Sequence, residues 1–192
     1  GGPPPERVPN IVSGDFRLRS PTIDGWLAED QRSARFEARG GVVVTSGEAT
    51  LETATFEVTI GPDARGETVL VGTASGGARL EGKLPPSAAE SVPGVAAAPR
   101  TFTLTPPDGL KIERSALGWR VIESTRVEVS LEGADGFHAR AERVRDFVVP
   151  RTGTGALAPG GLRFVASGAV QVDFAAGRFG GEELEVLGVA PV

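Results

Sequence analysis

Residues Leu162 to Gly188 read LRFVASGAVQVDFAAGRFGGEELEVLG, and this stretch decides the fold. Taken in twos, Leu162, Phe164, Ala166, Val170, Val172 and Phe174 fall on even positions, with Arg163, Gln171 and Asp173 between them. Successive side chains of a strand point to opposite faces, so the pattern predicts one apolar face and one wet face. Ser167-Gly168 and Ala176-Gly177 read as turns, because glycine allows the backbone conformations that tight turns need. Glu183, Leu184, Glu185 and Val186 then resume the alternation. The stretch is expected to run strand, turn, strand, turn, strand at about ten residues per step, a spacing typical of all-β folds.

The same phrasing occurs twice upstream. ARFEARGGVVVTSGEATLETATFEV spans Ala34 to Val58, and RVEVSLEGADGFHARAERVRDFVV spans Arg126 to Val149. Each has an alternating strand, a Gly-containing break, and a second strand that ends on Phe-x-Val, Phe-Val-Val or Leu-x-Val. The spacing is too uneven for a solenoid of fixed period. It reads as one hairpin pattern reused within a sheet.

Outward from these copies, further strands are expected at 11–19, 34–39, 41–45, 49–60, 67–74, 77–84, 101–105, 109–114, 117–123 and 126–132. Gly61-Pro62-Asp63 and Pro106-Pro107-Asp108-Gly109 are turn signals. Residues 22–33 stay ambiguous: one alternative is a short helix through Gln31 that Asp24 would cap and that Trp26 and Leu27 would pack over an open sheet end. Residues 137–149 contain good helix formers, but their β-rich ends favour strand. The total is about 14 short strands and at most one or two short helices. Residues 1–10 (GGPPPERVPN) read as a proline-rich linker and residues 11–192 as a single domain, with a long Ala/Pro loop at 85–100. A domain boundary in that loop is the alternative.

Composition narrows the function. Net charge is −5, which argues against a nucleic-acid partner, since phosphate binding needs a basic field. Aromatics make up only 6%, with no Tyr, which argues against a surface that stacks bases or sugars. There is no Cys, so disulfides, thiolate metal sites and a Cys nucleophile are excluded. There is no Met either, so the chain reads as a processed chain or a fragment. His138 is the only histidine; among Arg140, Glu142 and Arg143 it reads as a surface residue, because a metal site needs several ligands. No phosphate-cradling loop or Gly-x-Ser-x-Gly elbow is present. Adjacent Glu182 and Glu183 would face opposite sides of a strand, which is wrong for a paired-carboxylate site. No catalytic residue, metal or cofactor is expected, and an enzyme acting on an envelope polysaccharide is disfavoured.

Nearly every strand has one apolar face that must be covered. A closed sandwich with that face as core, and an open fold with an apolar groove, need the same alternation. The phrases FEARGGVVVTSGEATLETATFEV and FVASGAVQVDFAAGRFGGEELEVLG bear on this choice. They pair Gly41-Val42-Val43 with Leu51, Ala54, Phe56 and Val58, and Gly168-Ala169-Val170 with Phe179, Leu184 and Val186. In these two stretches the chain resembles the OstA-type β-jellyroll family of LptA/LptC-like periplasmic lipopolysaccharide-transport proteins. It departs from the family in its proline-rich start and its Ala/Pro loop.

The resemblance implies an all-β, rolled, partly open β-jellyroll of antiparallel strands whose interior holds the acyl chains of a lipopolysaccharide or similar multi-acyl lipid. It implies a periplasmic location. It also implies edge-strand pairing with other β-jellyroll proteins, with 11–19 and 183–188 as candidate edges, and an inner-membrane transporter as partner. The linker-like start suits a form anchored by a membrane segment upstream of Gly1. The expected groove lining is Phe36, Val42, Val44, Phe56, Val58, Val127, Val129, Leu131, Phe164, Val170, Val172, Phe174, Leu184 and Val186. Each of these is also an ordinary core candidate. A structural protein that polymerises through sheet edges is the competing reading.

Overall fold

The computed structural model describes residues 9–29, 32–47, 49–84, 100–115, 118–132, 136–150 and 163–186. Among them the strands are β1 (Asn10–Ser13), β2 (Phe16–Arg19), β3 (Thr22–Leu27), β4 (Ala34–Ser46), β5 (Ala49–Pro62), β6 (Thr68–Leu84), β7 (Arg100–Thr105), β8 (Gly109–Ser115), β9 (Gly118–Leu131), β10 (Phe137–Pro150), β11 (Arg163–Phe174) and β12 (Gly177–Val186). All twelve belong to one antiparallel sheet, in the order β1-β2-β4-β5-β6-β7-β9-β10-β11-β12, with β3 beside β4 and β8 between β6 and β9. The described residues contain no helix. Residues 1–8 of the expected 1–10 linker and 85–99 of the expected 85–100 loop lie outside them, while Asn10 already belongs to β1 and Arg100 to β7. The sheet nevertheless continues across that loop, because β6 pairs β7 from Leu80↔Leu104 to Leu84↔Arg100.

The strands are fewer and longer than the glycine breaks suggested, and the reason is physical. Gly40-Gly41, Gly76-Gly77 and Ser167-Gly168 are β-bulges inside single strands, not turns between two. Gly40 and Gly41 have φ of 89° and 93°, and Gly76 and Gly77 have φ of 79° and 82°, a region that side chains with a Cβ resist. The β4–β5 register jumps between Arg39 and Val42, and the β5–β6 register between Thr53 and Thr55. The β10–β11 register jumps between Arg140 and Arg143, opposite the jump from Ser167 to Val170 in β11–β12. In β9 the equivalent point is Arg126, at φ 51°. Each bulge bends its strand and adds twist. Because neighbouring bulges line up, the sheet is creased along one line and folds over on itself.

The crease divides every long strand between two layers. The upper layer holds β1, β2, 42–46, 49–53, 78–84, β7, 127–131, 137–141, 170–174 and 177–181. The lower layer holds β3, 34–39, 55–62, 68–75, β8, 118–125, 143–150, 163–167 and 183–186. The three repeated phrases are the hairpins β4–β5, β9–β10 and β11–β12, each starting low, turning in the upper layer and returning low. Buried hydroxyls stitch the crease. Thr53 Oγ1 lies 2.9 Å from Gly77 O, 3.0 Å from Ser75 O and 3.2 Å from Thr55 O. Ser20 Oγ donates toward Arg39 O at 2.6 Å, and Ser124 Oγ to Gly109 O at 3.1 Å.

Two expectations are corrected at the N-terminal end. Residues 22–27 form β3 rather than a capped helix, pairing from Thr22↔Arg39 to Leu27↔Ala34. Gly25 and the β-branched Thr22 and Ile23 are poor helix formers. Gly25 also has a structural use, since a Cβ there would meet the Phe36 ring at 3.0 Å. Residues 11–19 form a hairpin of two strands turning at Gly14-Asp15, not one strand.

Candidate functional site

The inner faces of the two layers form a continuous apolar surface. Opposed residues of antiparallel strands share a face. Val44 opposite Leu51, Leu51 opposite Leu80 and Leu80 opposite Leu104 therefore carry one apolar row across the upper layer. Phe36 opposite Val58, and Val58 opposite Gly72, carry another across the lower layer. In the middle of the fold the two faces pack together. Of the expected lining residues, Val42, Val44, Phe56, Val58, Val127, Val129, Leu131, Phe164, Val170 and Val172 are buried there. Phe102 of the upper layer lies 5.5 Å from Phe147 of the lower layer, ring centre to ring centre, and Phe137 lies 6.0 Å from Phe164. These aromatic contacts close the side of the fold opposite the crease.

Burial fails at the two ends of the sheet. At the C-terminal end Phe174 and Phe179 are 48% and 50% exposed. Phe179 sits opposite inward-facing Val172, so it belongs to the inner face. Phe174 touches Phe137, at 6.2 Å between ring centres, and so connects the exposed end to the buried middle. At the N-terminal end Leu27 is 75% exposed. It shares its face with Ile23, which lies opposite the buried Ala38. Phe36 and Ile60 are partly buried beside it. The inner apolar surface thus emerges as two lips, one on the upper layer at β11–β12 and one on the lower layer at β3–β5. Leu184 is partly buried next to the C-terminal lip, and the side chain of Val186 lies outside what is described.

The sequence reading placed Phe36, Phe174 and Leu184 with the rest. In the structure they lie toward the ends of the inner surface. It missed Leu27, Phe179, Phe137, Phe102 and Phe147 as lining. Phe102 and Phe137 follow the parity of their strands and were within reach, whereas Phe147 is turned inward by a bulge at Asp146, φ 52°, that shifts the parity set by Val144. Leu27 lies in the segment 22–33, whose pattern is ambiguous between helix and other structure.

Both ends also leave strand edges without a partner strand among the described residues. β12 forms one edge, and β1 and β3 form the other, so β3 joins the expected edge at 11–19. Leu187 and Gly188 lie outside the described residues. Val12 and Trp26 are exposed on these N-terminal edge strands.

The outer face is charged and cross-linked between neighbouring strands. Arg35 pairs with Glu57 at 3.0 Å and Arg140 with Glu128 at 2.9 Å. His138 stands on this face, 3.8 Å from Glu128 and partly exposed. Glu183 faces Arg145 at 3.7 Å. Hydrogen bonding from Arg178 holds the Asp173 carboxyl below its ordinary value, and Arg126 does the same to Asp108. Two open hollows, of about 350 and 320 Å³, flank Arg126 on the outside of the crease. Both share Arg126 and Glu128, with Pro106 and Pro107 beside the first and Arg140 and Glu142 beside the second.

No family model and no curated protein matches the chain. Among solved structures it is similar to the crystal structure of LptH from Pseudomonas aeruginosa, described as the LptA-homologous periplasmic component of the conserved lipopolysaccharide transport device, at 21% identity over 76% of this chain and 81% of that one, with a TM-score of 0.42.

Proposed function

We propose that the chain is a non-catalytic lipid-binding bridge module of the cell envelope, which takes the acyl chains of a multi-acyl lipid such as lipopolysaccharide between its two layers. One observation carries this reading: the inner apolar surface is buried in the middle yet exposed at both ends of the sheet. A core that served stability alone would gain nothing from leaving Leu27, Phe174 and Phe179 in water. Each exposed CH₂ of a guest chain costs roughly 0.8 kcal/mol in water, so a surface of Val, Leu and Phe attracts acyl chains without gripping a particular headgroup. The guest class is the one implied by the sequence resemblance, as are a periplasmic location and an inner-membrane transporter as neighbour. Edge pairing at β12 and at β1 and β3 with similar jellyrolls would align one lip with the next.

A second reading, assembly through edges with a permanently closed interior, draws on the packed middle and the same free edges. Photocrosslinking residues placed at Phe174, Phe179 and Leu27 separate the two. Irradiation in cells is expected to attach a multi-acyl lipid at all three positions. Attachment only to protein, with no lipid at any position, sinks the carrier reading and favours assembly.

A further inference from the structure

The two layers meet along the side opposite the crease in two chemically different ways. Toward β10 and β11 the contact is dry and aromatic, through Phe102, Phe147, Phe137 and Phe164. Toward the N-terminal strands it is polar. Arg114 of β8, in the lower layer, donates from Nε to Ser46 Oγ of β4, in the upper layer, at 2.8 Å. The same guanidinium pairs with Asp15 in the β1–β2 turn. Trp119 of β9 adds an indole N–H to Ser46 O at 3.4 Å. These contacts link residues 68 to 99 positions apart. The Arg114–Asp15 ion pair joins the two layers. Arg35–Glu57, Arg120–Asp146, Arg140–Glu128, Arg143–Glu123 and Arg145–Glu183 each stay within one layer.

We propose that Arg114, Asp15, Ser46 and Trp119 form a releasable clasp, which must open for an acyl guest to enter between the layers from the side. The proposal rests on the lipid-carrier reading. The buried middle makes an opening step necessary, because a chain cannot enter between side chains already in contact. The clasp is the natural place for that step. The Arg114 and Asp15 side chains are 20% and 36% exposed, so water can replace their mutual contact. The aromatic side has no such substitute, since parting it exposes apolar surface. A clasp of this kind lowers apparent affinity by the fraction of molecules that are open, and added salt, which screens the pair, raises that fraction.

The test uses a phospholipid with one pyrene-labelled acyl chain, presented in phosphatidylcholine vesicles, and follows its transfer to the protein by stopped flow. Asp15→Lys is expected to speed transfer severalfold and to remove the rise in rate that salt produces in the parent chain. Combining Asp15→Lys with Arg114→Glu restores a pair of opposite charges and is expected to return both the slow rate and the salt response. A Trp26→Phe background leaves Trp119 as the sole tryptophan, and its emission should shift red in Asp15→Lys and recover in the charge swap. Equal rates and emission in all forms overturn the clasp while leaving the carrier reading intact. A charge swap as fast as the single variant also overturns it, since loss of packing would then explain the effect. No transfer to any form overturns the carrier reading, and the clasp with it.

Discussion

At the scale of single residues, Gly72 shows how closely the lower layer is fitted. A Cβ at this position would lie 2.3 Å from Phe56 Cζ. Phe56 is fully buried, so the ring has no room to retreat. Gly72→Ala is therefore expected to destabilise the fold by about 1–3 kcal/mol, the usual cost of overpacking, read as a lower denaturant midpoint with an unchanged slope. Much of the inner face was legible at this scale. Val170 and Val172 fall on the same parity as Phe164 and Ala166, and all four are buried. Phe174 has that parity too and is half exposed. Alternation shows which face a residue occupies, and only the partner layer decides whether that face is covered.

Among the elements, the crease carries the architecture, and here the sequence was ambiguous for a definite reason. Glycine pairs at positive φ serve turns and bulges equally well. What separates the two is whether the neighbouring strand continues past them, and that information lies in the pairing, not in the local residues. The sequence for this reason suggests a break at Gly40, between 34–39 and 41–45, and another at Ser75-Gly76, between 67–74 and 77–84. The parity change in β5, from Leu51 and Thr53 to Phe56 and Val58, was the visible sign of a bulge. Thr53 is the hydroxyl that holds this point, with three carbonyls within reach of one proton. Thr53→Val keeps the shape and removes the donor. It is expected to cost about 0.5–1.5 kcal/mol, the usual net worth of one hydrogen bond lost at a part-buried site, measured by thermal or denaturant unfolding.

For the whole molecule, the two ends matter more than the middle. Among the described residues β12 offers an unpaired ladder beside exposed Phe174 and Phe179, and β1 and β3 offer another beside Val12, Trp26 and Leu27. Edges of this kind, and the ten-residue β12 above all, invite pairing with another chain unless they are covered. Phe179→Lys places a charge on that edge. It is expected to lower concentration-dependent association in sedimentation experiments while changing stability by no more than about 0.5 kcal/mol, as befits an exposed position. An unchanged association profile would show that the C-terminal edge takes no part in assembly. The sequence located both ends approximately, through 11–19 and 183–188. It could not identify β3 as an edge, because strand order is a property of the folded sheet.

The three bent hairpins have a consequence for how such a protein can change in size. Each contributes two neighbouring strands to both layers at once, with its own kink already in register with the fold line. Duplicating β9–β10 in tandem would widen the molecule by roughly 9.5 Å, at about 4.8 Å per strand, and leave its cross-section untouched. Growth by whole hairpins is thus a one-dimensional operation, and a lineage could adjust the span of each module without redesigning what lies inside it.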